Sequence, residues 1–265
     1  MESSGKERKG TVVVKADSAS GEMIRFLEEL PVKFSTGGEE VFRRRNVLKS
    51  FEVEGEKVVV KKFKLPGLFQ RWLQAGALPS KAEKSFKNAE TLLKAGVLTP
   101  SPLGYLVRTE GHLLKEEYYA CRMEELPNAL DLIRKEDGSV NVSLCEAVAC
   151  HIVAMHSKGV CHGDLILSNF LVKDEGEGIS FSMIDTDRCR FYKRMGRLRC
   201  CKDLRRVSRD MLVHRTVVCS YAKARGWNLK MTLFLVGLFK APFEARKRIL
   251  FKTRRLFGHN GGREQ

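Results

Sequence analysis

Three polar side chains in the middle of the chain most constrain what it can fold into. Asp164 follows His162-Gly163, and Asn169 stands five positions after it. Asp185 comes 21 positions after Asp164, directly behind a short apolar run. Kinase-type phosphoryl transfer needs one carboxylate that orients the acceptor hydroxyl, and an amide oxygen and a second carboxylate that hold Mg²⁺. The spacing therefore predicts a kinase site with Asp164 as catalytic base and Asn169 and Asp185 as metal ligands.

The ATP contact is predicted on an earlier strand. Val58-Val59-Val60 precede Lys61, which can point into a cleft and bind the α- and β-phosphates of ATP. Lys62 must then point to the opposite face, because side chains alternate along a strand. The alternative is a pair of solvated lysines on an edge strand. The acidic partner of Lys61 is expected on the next helix, at Glu83 or Glu90, and the sequence does not decide between them.

Two further polar residues beside the site have open roles. Asp187 can contact a second Mg²⁺ or pair with a neighbouring arginine, and we favour the arginine. His162 can act as a base, since histidine titrates near neutral pH, or hold loop backbone by a hydrogen bond. We favour the structural role for His162.

A small antiparallel sheet is predicted in the first half of the chain. Runs of β-branched and aromatic residues are separated by turns such as Glu54-Gly55-Glu56. Before Thr36 the pattern gives only a strand-like Thr11-Val12-Val13-Val14. The predicted strands are Glu40–Phe42, Val47–Val53, Lys57–Phe63, Tyr105–Val107 and Tyr118–Met123.

Helices are predicted beside and after that sheet. Ser80 caps a helix from Lys81 to Ala95, and Gly96 ends it. Beyond a hinge-like segment at 124–128 the pattern becomes helical. The predicted helical stretches are Ala129–Arg134, Ser143–Ser157 and a basic region to about Phe257 with breaks at Gly226 and Pro242.

The chain is accordingly expected to be α+β, with two lobes around a cleft. Residues 1–126 would form a β-rich lobe that covers the nucleotide. Residues 127–265 would form a helical lobe with the catalytic and metal loops and a basic surface for the acceptor.

Positive charge is concentrated after the second aspartate. The formal net charge is +16, yet residues 1–187 carry 26 Lys+Arg against 28 Asp+Glu. Residues 188–256 carry 21 Lys+Arg and three acids, which are Asp203, Asp210 and Glu244. A field localised in this way attracts an anionic partner such as a phosphate-rich glycolipid, a membrane surface or nucleic acid.

Other classes of protein are disfavoured by composition. None of the eight cysteines forms a Cys-x-x-Cys pair or a cysteine–histidine group at zinc spacing, which favours reduced thiols. The first 20 residues have no apolar signal-peptide core. The apolar run Leu233–Phe239 is far shorter than the ~20 residues that span a bilayer. We expect a cytoplasmic monomer that binds no specific nucleic acid, because the basic region shows no recognised RNA motif.

Several segments together resemble a known family. His162 to Asn169 with Asp185 is similar to the catalytic and metal loops of the protein-kinase-like superfamily, and His-Gly-Asp-Leu also resembles aminoglycoside and choline phosphotransferases. Further segments resemble the lipopolysaccharide-core kinase family from about Phe42 to Leu212. These segments are Val59–Lys64, Ser80–Ala82, Ser85–Ala89 and Ile184–Phe191.

The resemblance implies a fold and an activity. The fold would be protein-kinase-like and bilobal, with an antiparallel sheet and one helix in the N-terminal lobe and a larger, mostly helical C-terminal lobe. Family members phosphorylate Kdo or heptose sugars of lipopolysaccharide on the cytoplasmic side of the bacterial inner membrane. By this resemblance Asp164 is the base, Asn169 and Asp185 hold Mg²⁺, and Lys61 contacts ATP. Kinases cover the nucleotide phosphates with a glycine-rich loop, but this chain has Arg43-Arg44-Arg45-Asn46 at that turn. The arginine side chains can replace the backbone N–H groups as hydrogen-bond donors to phosphate.

The acceptor and its surface leave alternatives open. Leu233–Phe239, Phe243 and the cluster Arg246-Lys247-Arg248 can contact an anionic membrane, or the helix can pack on the large lobe. The main hypothesis is an ATP- and Mg²⁺-dependent kinase of an anionic glycolipid, the lipopolysaccharide inner core. The alternatives are a kinase of a protein or small-molecule hydroxyl, and an inactive kinase fold that binds anionic lipid or RNA.

Overall fold

The protein folds into two compact units. The computed structural model describes residues 12–15, 20–75, 78–174, 176 and 178–257, with side chains described in 20–75, 78–174, 176 and 178–245. The first unit comprises Met1–Leu126 and Ser182–Cys189, and the second comprises Pro127–Phe181 and Arg190–Gln265. Ser182–Cys189 thus belongs to the first unit although it follows residue 127 in the chain.

The first unit contains a six-stranded antiparallel sheet. The strands are β1 (Val12–Lys15), β2 (Glu39–Arg43), β3 (Val47–Val53), β4 (Glu56–Lys62), β5 (Pro102–Glu110) and β6 (Leu113–Arg122). Their order across the sheet is β1-β5-β6-β4-β3-β2. All five strands predicted between residues 40 and 123 are confirmed, and β1 covers the described part of Thr11–Val14. Thr11 itself lies outside the described residues.

The turn between β3 and β4 shows how local sequence sets strand register. Val53 pairs with Glu56, which leaves a two-residue loop. Glu54 and Gly55 in that loop have φ of 54° and 75°. Positive φ at both positions is the type I′ geometry, whose twist matches that of the flanking strands. The predicted turn at Glu54-Gly55 is therefore confirmed.

Helices cover both faces of this sheet. They are α1 (Gly21–Glu28), α2 (Leu30–Thr36), α3 (Leu68–Gln74) and α4 (Lys81–Lys94). The predicted α4 is confirmed, because the Ser80 hydroxyl accepts a hydrogen bond from the Glu83 amide at 3.1 Å. Phe86 of α4 packs with Phe63 and Tyr119 on one face of the sheet.

The expectation of a single helix beside the sheet was incomplete. Met23, Phe26, Leu27 and Leu30 recur at helical spacing and pack on the other face of the sheet, against Val58 and Val60. Their burial stabilises α1 and α2, which are too short to persist alone. The α+β, protein-kinase-like arrangement of an antiparallel sheet followed by a mostly helical region is confirmed.

The second unit is built mainly from helices. Its helices are α5 (Ala129–Leu132), α6 (Val142–Ser157), α7 (Arg197–Leu204), α8 (Met211–Ala224) and α9 (Leu229–Phe257). Short strands β7 (Val160–Cys161) and β10 (Arg190–Phe191) form one pair. Strands β8 (Phe170–Asp174) and β9 (Ile179–Met183) form another, and the boundary between the units falls within β9.

One helix break was predicted wrongly. Gly226 does separate α8 from α9, but α9 continues through Pro242. Proline removes the hydrogen bond to the carbonyl four residues earlier, at Leu238. Pro242 and Leu238 are both exposed, so water can hydrate that carbonyl. Among the described residues, no helix combines the length and the hydropathy that a bilayer span requires.

Gly159, between α6 and β7, provides a test of how this unit is built. A Cβ at Gly159 would lie 1.9 Å from the Tyr192 carbonyl oxygen, and its φ is +78°. Gly159→Ala should therefore incur about 1–2 kcal/mol of left-handed backbone strain. The clash should add about 1–3 kcal/mol. Urea unfolding of the two proteins measures the sum.

Gly138→Ala is the matched control. Gly138 also has a φ of +78°, but a Cβ there meets nothing within 4 Å. The control should lose only the strain, so the difference between the two variants isolates the Tyr192 clash. Equal losses would contradict the close approach of Tyr192.

Candidate active site

The segment from His162 to Asn169, here named the Asp164 loop, brings two predicted site residues together in the second unit. Asp164 is 7% exposed and Asn169 is 6% exposed. The Asn169 Nδ2 donates a hydrogen bond to the Asp164 carbonyl at 2.9 Å. This bond fixes the donor end of the amide, so the acceptor oxygen Oδ1 points the other way. That oxygen is the atom that a hard cation would bind.

A buried carboxylate on α7 holds the start of the Asp164 loop. Asp203, which is 2% exposed, accepts backbone N–H bonds from His162 and Gly163, each at 2.9 Å. These two bonds fix the backbone immediately before Asp164. The sequence analysis did not single out Asp203, whose only signal was its place as one of three acids in a basic segment.

His156 of α6 completes this buried arrangement. Its Nδ1 lies 2.9 Å from the Tyr221 hydroxyl, and its Nε2 lies 3.4 Å from Asp203 Oδ2. Burial lowers the pKa of His156, but hydrogen bonds with Asp203 and Cys200 outweigh it and raise this pKa above 6.5. Burial in turn raises the pKa of Asp203, while the hydrogen bond with His156 lowers it, with a net lowering.

His162 takes the structural role that the sequence analysis favoured. Its side chain is fully buried, and its Nδ1 accepts a hydrogen bond from the Asp164 amide at 3.3 Å. Its ring therefore supports the turn that carries Asp164.

An arginine that the sequence analysis did not name contacts Asp164. Arg206 Nη1 lies 2.5 Å from Asp164 Oδ1. Arg206 is 42 residues further along the chain, and nothing in its local sequence distinguishes it from the other basic residues of this region. The contact arises because α7 ends beside the Asp164 loop, where the Leu167 amide donates to the Val207 carbonyl at 3.1 Å.

The first unit brings together the other two predicted residues. Lys61 Nζ forms a hydrogen-bonded ion pair with Asp185 Oδ1, with side chains 14% and 35% exposed. Lys61 also lies 4.8 Å from the centroid of the Phe63 ring. Lys62 contacts Glu116 at 2.9 Å instead. The two lysines thus make separate contacts, as expected for opposite faces of β4.

The segment Ser182–Cys189, here named the Asp185 segment, is attached to α4 by polar contacts. The Asn88 side chain donates to the Thr186 carbonyl at 2.7 Å, and the Thr186 hydroxyl donates to the Ser85 carbonyl at 3.3 Å. Asp185 has a φ of 62°. This left-handed conformation is more accessible to aspartate than to most residues.

Glutamates of α4 do not take the expected place beside Lys61. Lys61 pairs with Asp185, and Glu83 pairs with Lys87 along the helix. The prediction of a Glu83 or Glu90 partner was therefore wrong. The aspartate is closer because the Asp185 segment lies against α4, which a sequence pattern does not reveal.

The surroundings of Asp187 raise the pKa of its carboxyl group. Burial raises its pKa, and the nearby negative charge of Asp185 adds to the rise. The positive charges of Lys61, Arg188 and Lys81 oppose it. Proximity of two carboxylates is compatible with a shared cation, because a cation would relieve their repulsion.

Each unit carries an oxygen donor of the type that Mg²⁺ prefers. Asp185 of the first unit has a carboxylate, and Asn169 of the second unit has an amide oxygen. Among the described residues no group of three or more His, Cys, Asp or Glu could hold a metal ion. Mg²⁺ in phosphoryl-transfer sites is held by one or two carboxylates together with substrate phosphates and water, so such a group is not required.

The fold defines the class of protein. A solved structure described as "WaaP in complex with acyl carrier protein" superposes with a TM-score of 0.58 at 17% sequence identity. The match covers 90% of this chain and 99% of that chain. This likeness establishes a protein-kinase-like fold.

The family follows from the sequence match. Residues 49–230 match the model of the lipopolysaccharide kinase (Kdo/WaaP) family, which is more than half of the chain. The chain therefore belongs to the lipopolysaccharide kinase (Kdo/WaaP) family, and the resemblance inferred from its motifs is confirmed.

Two curated relatives carry the name 3-deoxy-D-manno-octulosonic acid kinase. The protein of Vibrio parahaemolyticus is 28% identical over 124 residues, 46% of this chain and 48% of the relative. The protein of Pasteurella multocida is 31% identical over 107 residues, 39% of this chain and 43% of the relative. The chain thus matches less than half the length of each relative.

His156 provides a test of the buried arrangement that holds the Asp164 loop. Because its folded pKa is raised, its contribution to stability is fully present below the unfolded pKa of about 6.5 and is lost as pH rises through the folded pKa. His156→Gln should therefore cost most near pH 6, by about 1.5–3 kcal/mol for a charged hydrogen bond. The cost should shrink at alkaline pH. Urea unfolding across this range measures it.

His151→Gln, on the same helix, is the matched control. Burial, with the positive charge of Lys158, lowers the pKa of His151 to about 4. His151 therefore stays neutral in the folded protein but takes up a proton near pH 6 when unfolded, so the cost of His151→Gln should fall towards pH 6, opposite to the trend for His156→Gln. A cost for His156→Gln that also falls towards pH 6 would show that His156 is not charged in the folded protein.

Proposed function

We propose that this chain is a kinase that transfers the γ-phosphoryl group of ATP to a sugar hydroxyl, Kdo or heptose, of the lipopolysaccharide inner core. The observation that carries the proposal is the Asp164 loop, whose backbone is fixed by Asp203 and whose Asn169 amide is fixed by the Asp164 carbonyl. Membership of the lipopolysaccharide kinase family supports the reaction class. The proposed place of action is the cytoplasmic face of the inner membrane.

Each residue has a proposed role. Asp164 accepts or orients the proton of the acceptor hydroxyl, and the bonds to Asp203 keep it in place. Lys61 binds the nucleotide phosphates, and its pairing with Asp185 holds its ammonium in position. Asn169 and Asp185 would hold Mg²⁺, which would neutralise charge on the β- and γ-phosphates.

The acceptor assignment is supported by family and charge. Both curated relatives are named for an acidic sugar, 3-deoxy-D-manno-octulosonic acid. Residues 188–256 of this chain carry 21 basic residues against three acids. A soluble neutral acceptor needs no such excess, whereas an anionic glycolipid is attracted by it.

An exposed apolar stripe on α9 supports contact with the membrane that holds this acceptor. Met231, Phe234 and Leu238 are 48%, 62% and 53% exposed and recur at helical spacing. On the same helix Thr232 and Val236 are 0% and 1% exposed. The helix therefore packs with one face and exposes apolar side chains on another.

The occupant we propose for this stripe is an anionic lipid surface. The sequence from 246 to 257 holds six basic residues and no acid, which complements anionic headgroups. The side chains of the predicted cluster Arg246-Lys247-Arg248 lie outside the described residues. Apolar burial and positive charge together give the interfacial binding expected of an amphipathic helix.

Transfer of labelled γ-phosphate from ATP and Mg²⁺ to inner-core lipopolysaccharide that lacks core phosphate tests the proposed reaction. Wild-type protein should label the glycolipid. Asp164→Asn should lower the rate by about 10²–10⁴-fold, the usual contribution of a general base, while nucleotide binding persists.

Lys61→Ala should weaken nucleotide binding measured by calorimetry.

Lys62→Ala is the matched control for Lys61. It removes the same charge from the adjacent position, but Lys62 pairs with Glu116 and should leave turnover unchanged. Hydrolysis of ATP that depends on Asp164, without label on the glycolipid, would keep the kinase and exclude the acceptor. If the folded protein shows neither ATP hydrolysis nor phosphoryl transfer, an inactive, anion-binding kinase fold is favoured.

Vesicle sedimentation tests the lipid contact of α9. The double variant Phe234→Glu, Leu238→Glu should partition at least about tenfold less onto anionic vesicles, since two large apolar side chains no longer enter the bilayer. Binding should also weaken with salt.

The control for added charge is the double variant Leu130→Glu, Val142→Glu. These residues are 49% and 51% exposed elsewhere in the same unit. The control should bind vesicles like wild type. Equal partition of wild type and both double variants onto vesicles would contradict the proposal. If wild type is a dimer in light scattering and the Phe234→Glu, Leu238→Glu variant is a monomer, the stripe binds a second copy of the chain instead of lipid.

A further inference from the structure

One ion pair of the second unit is not explained by transfer to a neutral alcohol. Arg206 and Asp164 pair directly, with side chains only 22% and 10% exposed. A guanidinium stays protonated and only donates hydrogen bonds, so it cannot itself take the proton of an acceptor hydroxyl. Arginine beside the catalytic carboxylate therefore needs a further function, which its surroundings indicate.

Arg206 is held in place by its backbone. The following residue, Val207, accepts a hydrogen bond from the Leu167 amide at 3.1 Å. Ser208 accepts one from Lys240 Nζ at 3.0 Å, and this lysine is 7% exposed. These bonds tie the segment after α7 to the Asp164 loop on one side and to α9 on the other. The guanidinium is thus presented beside Asp164 by a fixed scaffold.

A second arginine adds positive charge at the same place. The guanidinium carbons of Arg206 and Arg205 lie 4.9 and 5.3 Å from the centroid of the Phe243 ring. Burial lowers the pKa of Arg205, and the positive charge of Arg206 contributes to that lowering. Two cations held on one ring repel each other, and a bound anion would relieve this repulsion.

The remaining donors of Arg206 suit a carboxylate. A guanidinium has five N–H donors in a planar fork, and Asp164 is contacted through Nη1. The fork can bind a second carboxylate while the first contact is kept. The two relatives are named for a sugar acid, in which a carboxylate and hydroxyl groups belong to one small molecule. An arginine that contacts both Asp164 and this carboxylate would therefore align a hydroxyl with the base.

We propose that Arg206 binds the carboxylate of a sugar-acid acceptor and thereby positions the acceptor hydroxyl at Asp164. The inference rests on the proposed function and names the chemistry that the acceptor must carry. It makes Arg206 a residue that distinguishes acidic from neutral sugars, because an uncharged acceptor cannot satisfy the guanidinium.

The experiment compares two acceptors, Kdo (3-deoxy-D-manno-octulosonic acid) as the free acid and its carboxyl methyl ester, using the whole chain. Binding is measured by calorimetry and turnover by phosphoryl transfer from ATP. Wild type should bind the acid at least about tenfold more tightly than the ester, as expected for a charged hydrogen-bonded pair. Arg206→Gln should bind the acid as weakly as the ester, and its affinity for the ester should equal that of wild type. Its KM for the acid should rise while its KM for ATP is unchanged.

Two further variants separate binding from a structural effect. Arg206→Lys keeps the charge without the planar fork and should recover part of the preference for the acid. Arg209→Gln removes a charge from an exposed position three residues further on and should behave as wild type. Unfolding curves for each variant show whether the fold is retained.

The outcomes separate this inference from the proposed function. If Arg206→Gln lowers the affinity for the acid and for the ester by the same factor, Arg206 acts only on Asp164. A raised KM for ATP would show that Arg206 binds the nucleotide. Either result overturns the inference and leaves the kinase intact. Arg206-dependent binding of the acid without any phosphoryl transfer would support the inference and overturn the proposed function.

Discussion

The second unit depends on the buried carboxylate of Asp203. A carboxylate removed from water is costly unless its oxygens are hydrogen-bonded. Here the His162 and Gly163 amides supply two bonds, and His156 of α6 approaches the same group. Tyr221 of α8 contacts His156 in turn. Movement of the Asp164 loop would remove both backbone donors of Asp203 and leave it only the contact with His156, so the cost of a poorly paired buried charge keeps the loop in place.

The first unit fixes its own site residues by a different means. The Asp185 segment is attached to α4 through neutral hydrogen bonds made by Asn88 and Thr186. At the first residue of α4, the Lys81 amide donates a hydrogen bond to the fully buried Glu117 carboxylate at 2.7 Å. These contacts define where α4 and the Asp185 segment lie, and hence where Asp185 meets Lys61. Each unit thus places its polar residues through hydrogen bonds between side chains and backbone.

The large positive charge of the later chain serves more than one purpose. Lys240 is buried and holds the Ser208 carbonyl, and burial lowers its pKa. Arg199 lies 3.8 Å from the centroid of the Tyr192 ring, and Arg206 pairs with Asp164. Basic residues therefore support the structure as well as the surface field. A count of charges along the sequence does not distinguish these roles, because burial and partners depend on packing.

Much of this protein follows from its sequence by itself. Alternation fixes β3 and β4, Ser80 begins α4, and the His162–Asn169 motif indicates the protein-kinase-like superfamily, because these signals act over a few residues. Only the tertiary structure decided that Lys61 pairs with Asp185 and not with a helix glutamate, and that Arg206 contacts Asp164. These partners lie far apart in the chain, and burial, not local conformational preference, selects which charge meets which.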